Sequence, residues 1–574
     1  MKNSDLAEIL YKIVKYLYLS EENIFKIRAY ERAAQVIETF PEPIEKFKNS
    51  PEKLQDLPGI GRGIAEKIVE YLNTGTIKYY EELKKKFPES LLDLMSIPGL
   101  GHKRTKVLYE KLGIETIDML KDYAKRGVLE NLEGFGKKVV QNILEGIEFK
   151  TTSEKKFLYI DAQQVVDKIV NYLTSKEILK LDICGSFRRK KDLIGDLDIL
   201  CCTKDEKKEF VVKKFVSIPE IKKVVAEGST KASVITQKGL QVDFRVVPIE
   251  SYGSSLQYFT GSKEHNIKLR EYALQKGYSI SEYGVFNVSN KKYVCGKNEH
   301  EVYKVLGLEY IPPELRENRG EIELAKEHKL PKLLELKNVK GDTHIHSHYS
   351  DGTNSILEIV SVAEKMGYEW IIICDHSKSL KVANGLEEKD LYKKIEEIEK
   401  INKTSKVKIF CGAEVDILSD GELDYSDDIL SKIDFVIAAI HTGFKQSEEQ
   451  ITQRIIRAME NKYVHSISHP TGRILLKRDE YKVDISKIVE YAKKCDVLLE
   501  INAYPERLDL NDINVKYAKE NGVKFSIGTD AHNVSHMNYM VYGINVARRG
   551  WLEENDVINT MSYSQLKKYL KSRR

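Results

Sequence analysis

Residues Ile183–Leu200 read ICGSFRRKKDLIGDLDIL. An apolar strand runs into Gly185-Ser186, and that turn opens a helix. Gly195 then leads into a second strand that begins Asp196-Leu197-Asp198. Side chains at i and i+2 of a strand share a face, so Asp196 and Asp198 point the same way. Two carboxylates so placed repel each other unless a cation lies between them. Hard oxygen ligands of this kind suit Mg²⁺ or Mn²⁺. A third carboxylate, Asp243 in VDFRVV, is expected from a neighbouring strand. Three carboxylates can hold two ions for in-line phosphoryl displacement. Gly185 and Ser186, with Arg189 beside them, are the expected grip on a triphosphate.

Reading outward from this stretch, residues 151–310 keep a mixed α/β pattern. Residues 311–338 place Pro312, Pro313 and Pro331 among charges and read as a linker. From 339 to 574, short apolar strands alternate with helices of about 11–14 residues, a rhythm that implies a parallel sheet closed as a barrel. Residues 1–150 read as helical and carry three related turns, LPGIG (Leu57–Gly61), IPGLG (Ile97–Gly101) and LEGFG (Leu132–Gly136). Each turn precedes an amphipathic stretch such as Ile64, Ile68, Leu72. Two glycines between helices let a phosphate approach the free N–H groups of the second helix. Gly59, Gly61, Gly99, Gly101, Gly134 and Gly136 are therefore candidate DNA-backbone contacts. Lys103, Arg104, Lys137 and Lys138 follow the second and third turns.

Composition sets limits. The chain has 574 residues, enough for several domains, and a net charge of +4. A nucleic-acid surface must then be a local patch. No apolar run approaches the roughly 18 residues of a membrane span, and the charged N-terminus lacks a secretory apolar core. The 7 cysteines form no CxxC pair, which fits a reducing cytoplasm.

Of 13 histidines, 9 follow residue 340. His344, His346, Asp351, His376, Glu414, His441, His469, Asp530 and His532 recur near the ends of expected strands. Strand ends of an α/β barrel converge on one face. Nine N and O ligands are too many for one ion and suit two or three of Zn²⁺, Mn²⁺ or Fe²⁺. His348, His465 and His536 fall outside that spacing.

GSFRR followed by GDLD resembles the palm motif of the family X DNA polymerases, and YFTGSKEHN (Tyr258–Asn266) resembles that family's YFTGS segment. The resemblance implies that Tyr258, Phe259 and Gly261 line the sugar of an incoming deoxynucleoside triphosphate, with Asn266 and Lys263 close to its base. Arg270 would touch the template strand, with Arg245 as a further DNA contact. FKIRAYERAAQVI and LPGIGRGIAEKIVEYLNTGTI are similar to the family's small lyase domain. Lys67 stands at the Schiff-base lysine position, and Lys26 and Tyr30 are kept as expected contacts to a DNA 5′-phosphate. Gly63 replaces a phosphate-binding lysine. For Lys67 both a nucleophilic amine and a solvated helix position fit.

DTHIHSHYSDG, CDHS, GAEVDI, AAIH, SHPTGR, LEINAYPERLDL and GTDAH together resemble the polymerase and histidinol phosphatase (PHP) domain, a distorted seven-stranded barrel that hydrolyses phosphoesters at a trinuclear site. Cys374 replaces that family's threonine, and Arg473 and Arg507 are expected phosphate contacts.

The expected architecture is multidomain. It comprises a helical lyase-like domain (1–90), a helix-hairpin-helix domain (91–150), an α/β nucleotidyltransferase palm (151–245), a thumb (246–310), a linker (311–338) and a (β/α)7 barrel (339–574). The expected activity is gap-filling DNA synthesis in repair, with 3′-5′ exonuclease or phosphoesterase action on DNA ends, 3′-phosphatase and abasic-site endonuclease activity being further readings of the barrel. The expected partners are gapped or primed DNA and deoxynucleoside triphosphates, with the chain a monomer. The alternative is a small-molecule phosphatase tethered to DNA by a polymerase-like scaffold.

Overall fold

The computed structural model describes residues 3–40, 44–48, 51–57, 59–97, 100–153 and 155–572. The chain divides into two units, Met1–Lys155 and Lys156–Arg574. In the first, amphipathic helices turn their apolar stripes inward. Ile64, Ile68 and Leu72 of helix Arg62–Thr74 are all buried. Leu6, Leu10, Ile68, Leu92 and Leu108 belong to one core, so residues on both sides of position 90 share it.

The glycine turns sit at helix starts. Gly61 precedes Arg62–Thr74, Gly101 opens Gly101–Leu112, and Gly136 precedes Lys137–Ser153. No side chain caps the first two of these helices. Their leading N–H groups thus stay open to an external acceptor. A Cβ on Gly59, whose φ is +95°, would stand 2.6 Å from the Arg32 side chain. Gly99 lies outside the described residues.

The second unit begins with a five-stranded sheet, in the order Ile178–Ile183, Asp196–Thr203, Gln241–Val247, Lys231–Thr236, Ile221–Glu227. Strands Asp196–Thr203 and Gln241–Val247 run parallel, with Asp198 opposite Asp243. That register places the third carboxylate beside the pair. Helix Tyr159–Leu173 covers the sheet through Val165, Val166 and Ile169. Helices Tyr252–Thr260 and Lys263–Gln275 and a three-stranded sheet follow.

Residues 311–338, expected as a linker, are folded. Helix Glu321–Lys326 lies between two short 3-10 turns. Leu315, Ile322, Ala325 and Leu333 join the core formed by Leu269, Val302 and Tyr303, which also takes in Trp551. Widely spaced apolar residues among prolines and charges hid this packing from the sequence.

Seven parallel strands then follow in consecutive spatial order, from Gly341–Ile345 to Phe525–Gly528. The first and last approach each other through a bridge between Ile345 and Ala531. Helices alternate with the strands, and their apolar faces pack on the outside of the sheet. No helix among the described residues is long and apolar enough to cross a membrane.

Candidate active sites

An open cleft of ≈ 390 Å³ lies above the five-stranded sheet. Gly185, Ser186, Arg189, Asp196, Asp198, Tyr258, Phe259, Gly261, Lys263, Asn266 and Arg270 line it. These eleven residues come from two short segments, and all were candidates on sequence alone. Asp243 and Arg245 line an adjoining recess with Asp198 and Phe259. The Arg245 guanidinium lies 4.7 Å from the Phe259 ring centre. Gly195 precedes the Asp196 strand and is not among the lining residues.

Backbone geometry holds the strand-to-helix turn against the carboxylates. Cys184 N donates to Asp198 O at 2.7 Å. Gly185 has φ +59°, and a Cβ there would stand 2.5 Å from Asp198 Oδ2. Only glycine fits so close an approach in that conformation. Among the described residues Ser186 Oγ is buried without a hydrogen-bond partner, so it is available to a ligand. Burial, with Asp196 and Asp243 nearby, pushes the Asp198 carboxyl up to about 7 against the pull of Arg245 and Arg189. Desolvation in the cleft and Asp243 also raise Asp196, though its side chain reaches solvent. Asp243 accepts from Gln241 Nε2 at 2.9 Å and from Ser233 Oγ. Three convergent, mutually repelling carboxylates fit divalent cations.

Helix Tyr252–Thr260 and its successor shape the far wall. The Tyr258 and Phe259 rings meet edge to face, 5.2 Å apart. Asn266 is fixed by both ends of its amide: Nδ2 donates to Tyr258 O at 2.7 Å, and Oδ1 accepts from Gln257 at 2.7 Å. Beneath the cleft, Arg188 and Arg316 both grip Glu299, at 2.7 Å and 2.6 Å. Burial alone would raise the Glu299 carboxyl, but the two guanidinium groups hold it at about 2.

The second site lies at the C-terminal ends of the barrel strands. Three groups there have ligand atoms close enough to share an ion: His346, Asp351, His376 and His532; His344, His346 and Asp530; and His376, Glu414 and His441. His469, the ninth candidate, brings Nε2 to 3.0 Å from Glu414 Oε1. Glu414 is thus ringed by imidazoles, with His376 at 3.1 Å and His344 and His441 at 3.4 Å. Burial opposes its charge, yet His344, His441 and His376 hold the carboxyl well below its usual range. His344 Nε2 and His346 Nε2 face each other at 3.0 Å. Among the described residues His346 Nδ1 and His469 Nδ1 are buried without hydrogen-bond partners. Opposed imidazole nitrogens and orphaned buried ones are what a multi-metal site leaves when its donors are seen alone.

Several residues of this site were missed in the sequence. Glu500 Oε1 lies 2.7 Å from His344 Nδ1, and its Oε2 accepts from His469 N and Ser468 Oγ, each at 2.8 Å. Asp416 Oδ1 lies 2.5 Å from His441 Nδ1. Such partners fix the tautomer and direction of a metal-binding imidazole. A lone acidic residue inside the apolar strand LLEIN was the legible signal for Glu500. Asp375 pairs with the fully buried Lys394 at 2.8 Å. Cys374 Sγ lies in the core, 3.3 Å from Thr343 O.

Three other expectations fare differently. Arg473 is not a free phosphate contact: it donates to Asp192 Oδ2 at 2.7 Å, to Arg507 O at 2.9 Å and to Leu508 O. Arg507 lines a ≈ 260 Å³ cleft with Tyr504, Glu506, Asp530 and His532. Of the histidines outside the pattern, His348 is exposed, His465 Nδ1 accepts from Val436 N, and His536 stacks on Tyr539.

In the first unit, Lys26 and Lys67 both lie over the Tyr79 ring, at 5.0 Å and 5.5 Å. Lys67 Nζ donates to Gly63 O at 3.2 Å, and Lys26 pairs with Glu22 at 3.0 Å. Tyr30, a candidate DNA contact, is only 4% exposed and belongs to the core. Its ring packs beside Tyr79 because it lies on the inward face of helix Ile24–Thr39.

Five family models match the chain. They are a helix-hairpin-helix domain (1–77), a SAM-like helix-hairpin-helix tandem (91–148), the DNA polymerase beta palm (159–247), the DNA polymerase beta thumb (255–317) and the PHP domain (342–504). The chain is similar to the DNA polymerase/3′-5′ exonuclease PolX of Bacillus subtilis, 38% identical over 575 residues and the whole of both chains. A probable phosphatase of a Thermoanaerobacter species is 33% identical over 248 residues, covering 41% of this chain and 95% of its own. DNA polymerase lambda of Arabidopsis thaliana is 27% identical over 346 residues, covering 55% and 62%.

Proposed function

The chain belongs to the PolX family of DNA polymerase/3′-5′ exonucleases, and from that premise we propose that it fills short gaps during DNA repair while its barrel trims 3′ ends. It is a DNA polymerase with a second, hydrolytic domain. Both activities depend on divalent metal, and the substrates are DNA and deoxynucleoside triphosphates. The observation that carries the reading is the single cleft in which Asp196 and Asp198 meet Ser186, Arg189, Tyr258 and Phe259.

In that cleft, Asp196, Asp198 and Asp243 would hold two Mg²⁺ or Mn²⁺, which when bound acidify the primer 3′-hydroxyl and stabilise the leaving pyrophosphate. Ser186 Oγ and the Arg189 guanidinium receive the triphosphate. Tyr258 and Phe259 pack against the sugar and exclude water. Asn266, its amide braced by Gln257 and the Tyr258 carbonyl, presents a fixed edge to the base. Arg270 and Arg245 contact DNA, as do the helix starts at Gly61, Gly101 and Gly136.

In the barrel, His344, His346, Asp351, His376, Glu414, His441, His469, Asp530 and His532 would hold two or three of Zn²⁺, Mn²⁺ or Fe²⁺, which supply an acidified water and a charge clamp on the scissile phosphate. Glu500 and Asp416 aim His344 and His441. Arg507, at the rim, neutralises the phosphate as it enters. The likeness of the barrel to a probable phosphatase supports a second reading, hydrolysis of a small phosphomonoester.

The test is a labelled primer in a one-nucleotide gap with Mn²⁺, with and without deoxynucleotides. Extension with nucleotides and shortening without them are expected. Shortening alone would overturn the polymerase role proposed for the cleft. Extension alone, with faster turnover of histidinol phosphate than of a 3′-phosphorylated oligonucleotide, would favour the phosphatase.

A further inference from the structure

Arg189 enters the polymerase cleft held at two points. Its Nε donates to Glu317 Oε1 at 3.0 Å, and its Nη1 donates to Thr260 O at 2.5 Å. Nη2 has no hydrogen-bond partner among the described residues, on a side chain that lines the cleft. One guanidinium face is thus fixed from behind while the other stays open to an anion. A guanidinium can serve both sides because its donors form a rigid planar fork.

The support behind Arg189 comes from the barrel. Arg549 ends helix Met540–Arg549, which follows the last barrel strand. Its Nη1 donates to the Arg189 main-chain oxygen at 2.7 Å and to Glu317 Oε1 at 2.9 Å. Its Nη2 donates to Asp512 Oδ2 at 2.7 Å, on barrel helix Asp512–Glu520. Asp512 also accepts from Arg319 at 2.9 Å. Charges therefore alternate along Arg189, Glu317, Arg549, Asp512 and Arg319. Arg549 is 1% exposed. Burial opposes the Glu317 charge, but Arg549, Arg189 and Lys191 hold its carboxyl at about 2.

We propose that Arg549 is a positioning residue for the incoming nucleotide: the hydrolytic barrel supplies the back wall of the polymerase's triphosphate site. The inference rests on the reading of Arg189 as a triphosphate contact. Arg549 touches both the backbone and, through Glu317, the guanidinium of Arg189, so it fixes position and direction together. Without it, buried Glu317 loses a cation and the Arg189 carbonyl loses its donor. The remaining Glu317–Arg189 pair can then turn away from the cleft. A loosened charged hydrogen bond weakens anion binding more than it changes chemistry at the metal-binding carboxylates.

The experiment is single-turnover incorporation by the full chain on one-nucleotide-gapped DNA, giving nucleotide affinity and maximal rate separately. Arg549→Ala is expected to weaken deoxynucleotide affinity about tenfold and to change the maximal rate less than threefold. Arg549→Lys, which keeps the charge but not the two-point hold, should recover part of the affinity. Primer shortening without nucleotides should match the wild type in both variants, since the hydrogen bonds of Arg549 among the described residues go to Arg189, Glu317 and Asp512 and none to the histidine-rich site. Asp512→Asn loosens Arg549 without touching Arg189 and should give a smaller loss of affinity. If Arg549→Ala does not fold, Arg549→Lys and Asp512→Asn decide the matter by the same measurement. Unchanged nucleotide affinity in folded variants overturns the inference. So does a fall in maximal rate with affinity intact. A wild-type chain that incorporates no nucleotide would instead overturn the polymerase reading itself.

Discussion

The two candidate sites solve the problem of crowded carboxylates in opposite ways. In the sheet cleft, Asp196, Asp198 and Asp243 face one another, and burial together with their mutual repulsion pushes Asp198 up to about 7. In the barrel, Glu414 and Asp530 are interleaved with His344, His346, His376, His441 and His532. Imidazoles there space the carboxylates apart and, when neutral, can donate to a metal without adding like charge. A site left uncompensated by its own chain calls for cations that arrive with an anionic substrate. A site rich in imidazole binds borderline metals tightly enough to retain its ions between turnovers. The difference follows from ligand type, since oxygen-only sites suit Mg²⁺ and imidazole-rich ones suit Zn²⁺, Mn²⁺ or Fe²⁺.

The largest effects should come from crossed substitutions. Asp198→Ala should lower primer extension by ~10³-fold or more and leave shortening intact, and His346→Ala should do the reverse, because each removes several kcal/mol of charge stabilisation from one site only. Extension and shortening assays on both variants check this. Loss of both activities in either variant would break the comparison.

A smaller effect separates the uncompensated aspartates from compensated charge in the same unit. Glu299→Gln leaves Arg316 and Arg188 without their buried partner and should cost roughly 3–5 kcal/mol of stability. The folded Glu299 pKa of about 2 lies below the ordinary glutamate value of ~4.3. Its stabilisation is therefore complete above pH ~4.3 and is lost as pH falls toward 2. Denaturant melts across that window should show wild-type stability falling toward that of Glu299→Gln, and parallel curves would refute the assignment.

The smallest effect lies outside both sites. Borohydride trapping on a 5′-deoxyribose-phosphate substrate separates the two readings of Lys67: an adduct that Lys67→Ala abolishes makes it the nucleophile, and no adduct makes it a solvated helix position, with extension and shortening changed less than twofold in Lys67→Ala either way. An adduct that persists in Lys67→Ala would move the chemistry to another amine.

Local pattern explains what was legible in the sequence. Asp196 and Asp198 share a strand face, and Ser186 falls in the same short segment. Tyr258 and Asn266 were legible only through the resemblance of YFTGSKEHN to a family motif. The barrel histidines could be read because strand ends converge by topology. What escaped notice joins residues far apart in the chain. Glu500 reaches His344 across 156 positions, and Arg549 reaches Arg189 across 360. No local period marks such a pair. Tyr30 misled because a tyrosine on an amphipathic helix serves a core as readily as a phosphate. Arg473 misled because its partner, Asp192, lies 281 positions away in the chain. The packing of 311–338 depends on Leu315 and Ile322, single apolar residues that a composition window dilutes.

The meeting of the first and last barrel strands, at Ile345 and Ala531, has a bearing on synthesis. His344 and His346 emerge early, whereas Asp530 and His532 follow about 190 residues later, roughly 10–40 s at ordinary elongation speeds. The sheet cleft is complete in sequence by Arg270, well before that. A growing chain therefore holds every residue of its polymerising cleft while its degrading centre is still missing a side. Because Arg549 comes 17 residues after His532, the back wall of the nucleotide site and the last ligands of the hydrolytic centre leave the ribosome close together. The opposed activities are thereby tied to a single late step, and a chain cut short before it would lack the finished form of both.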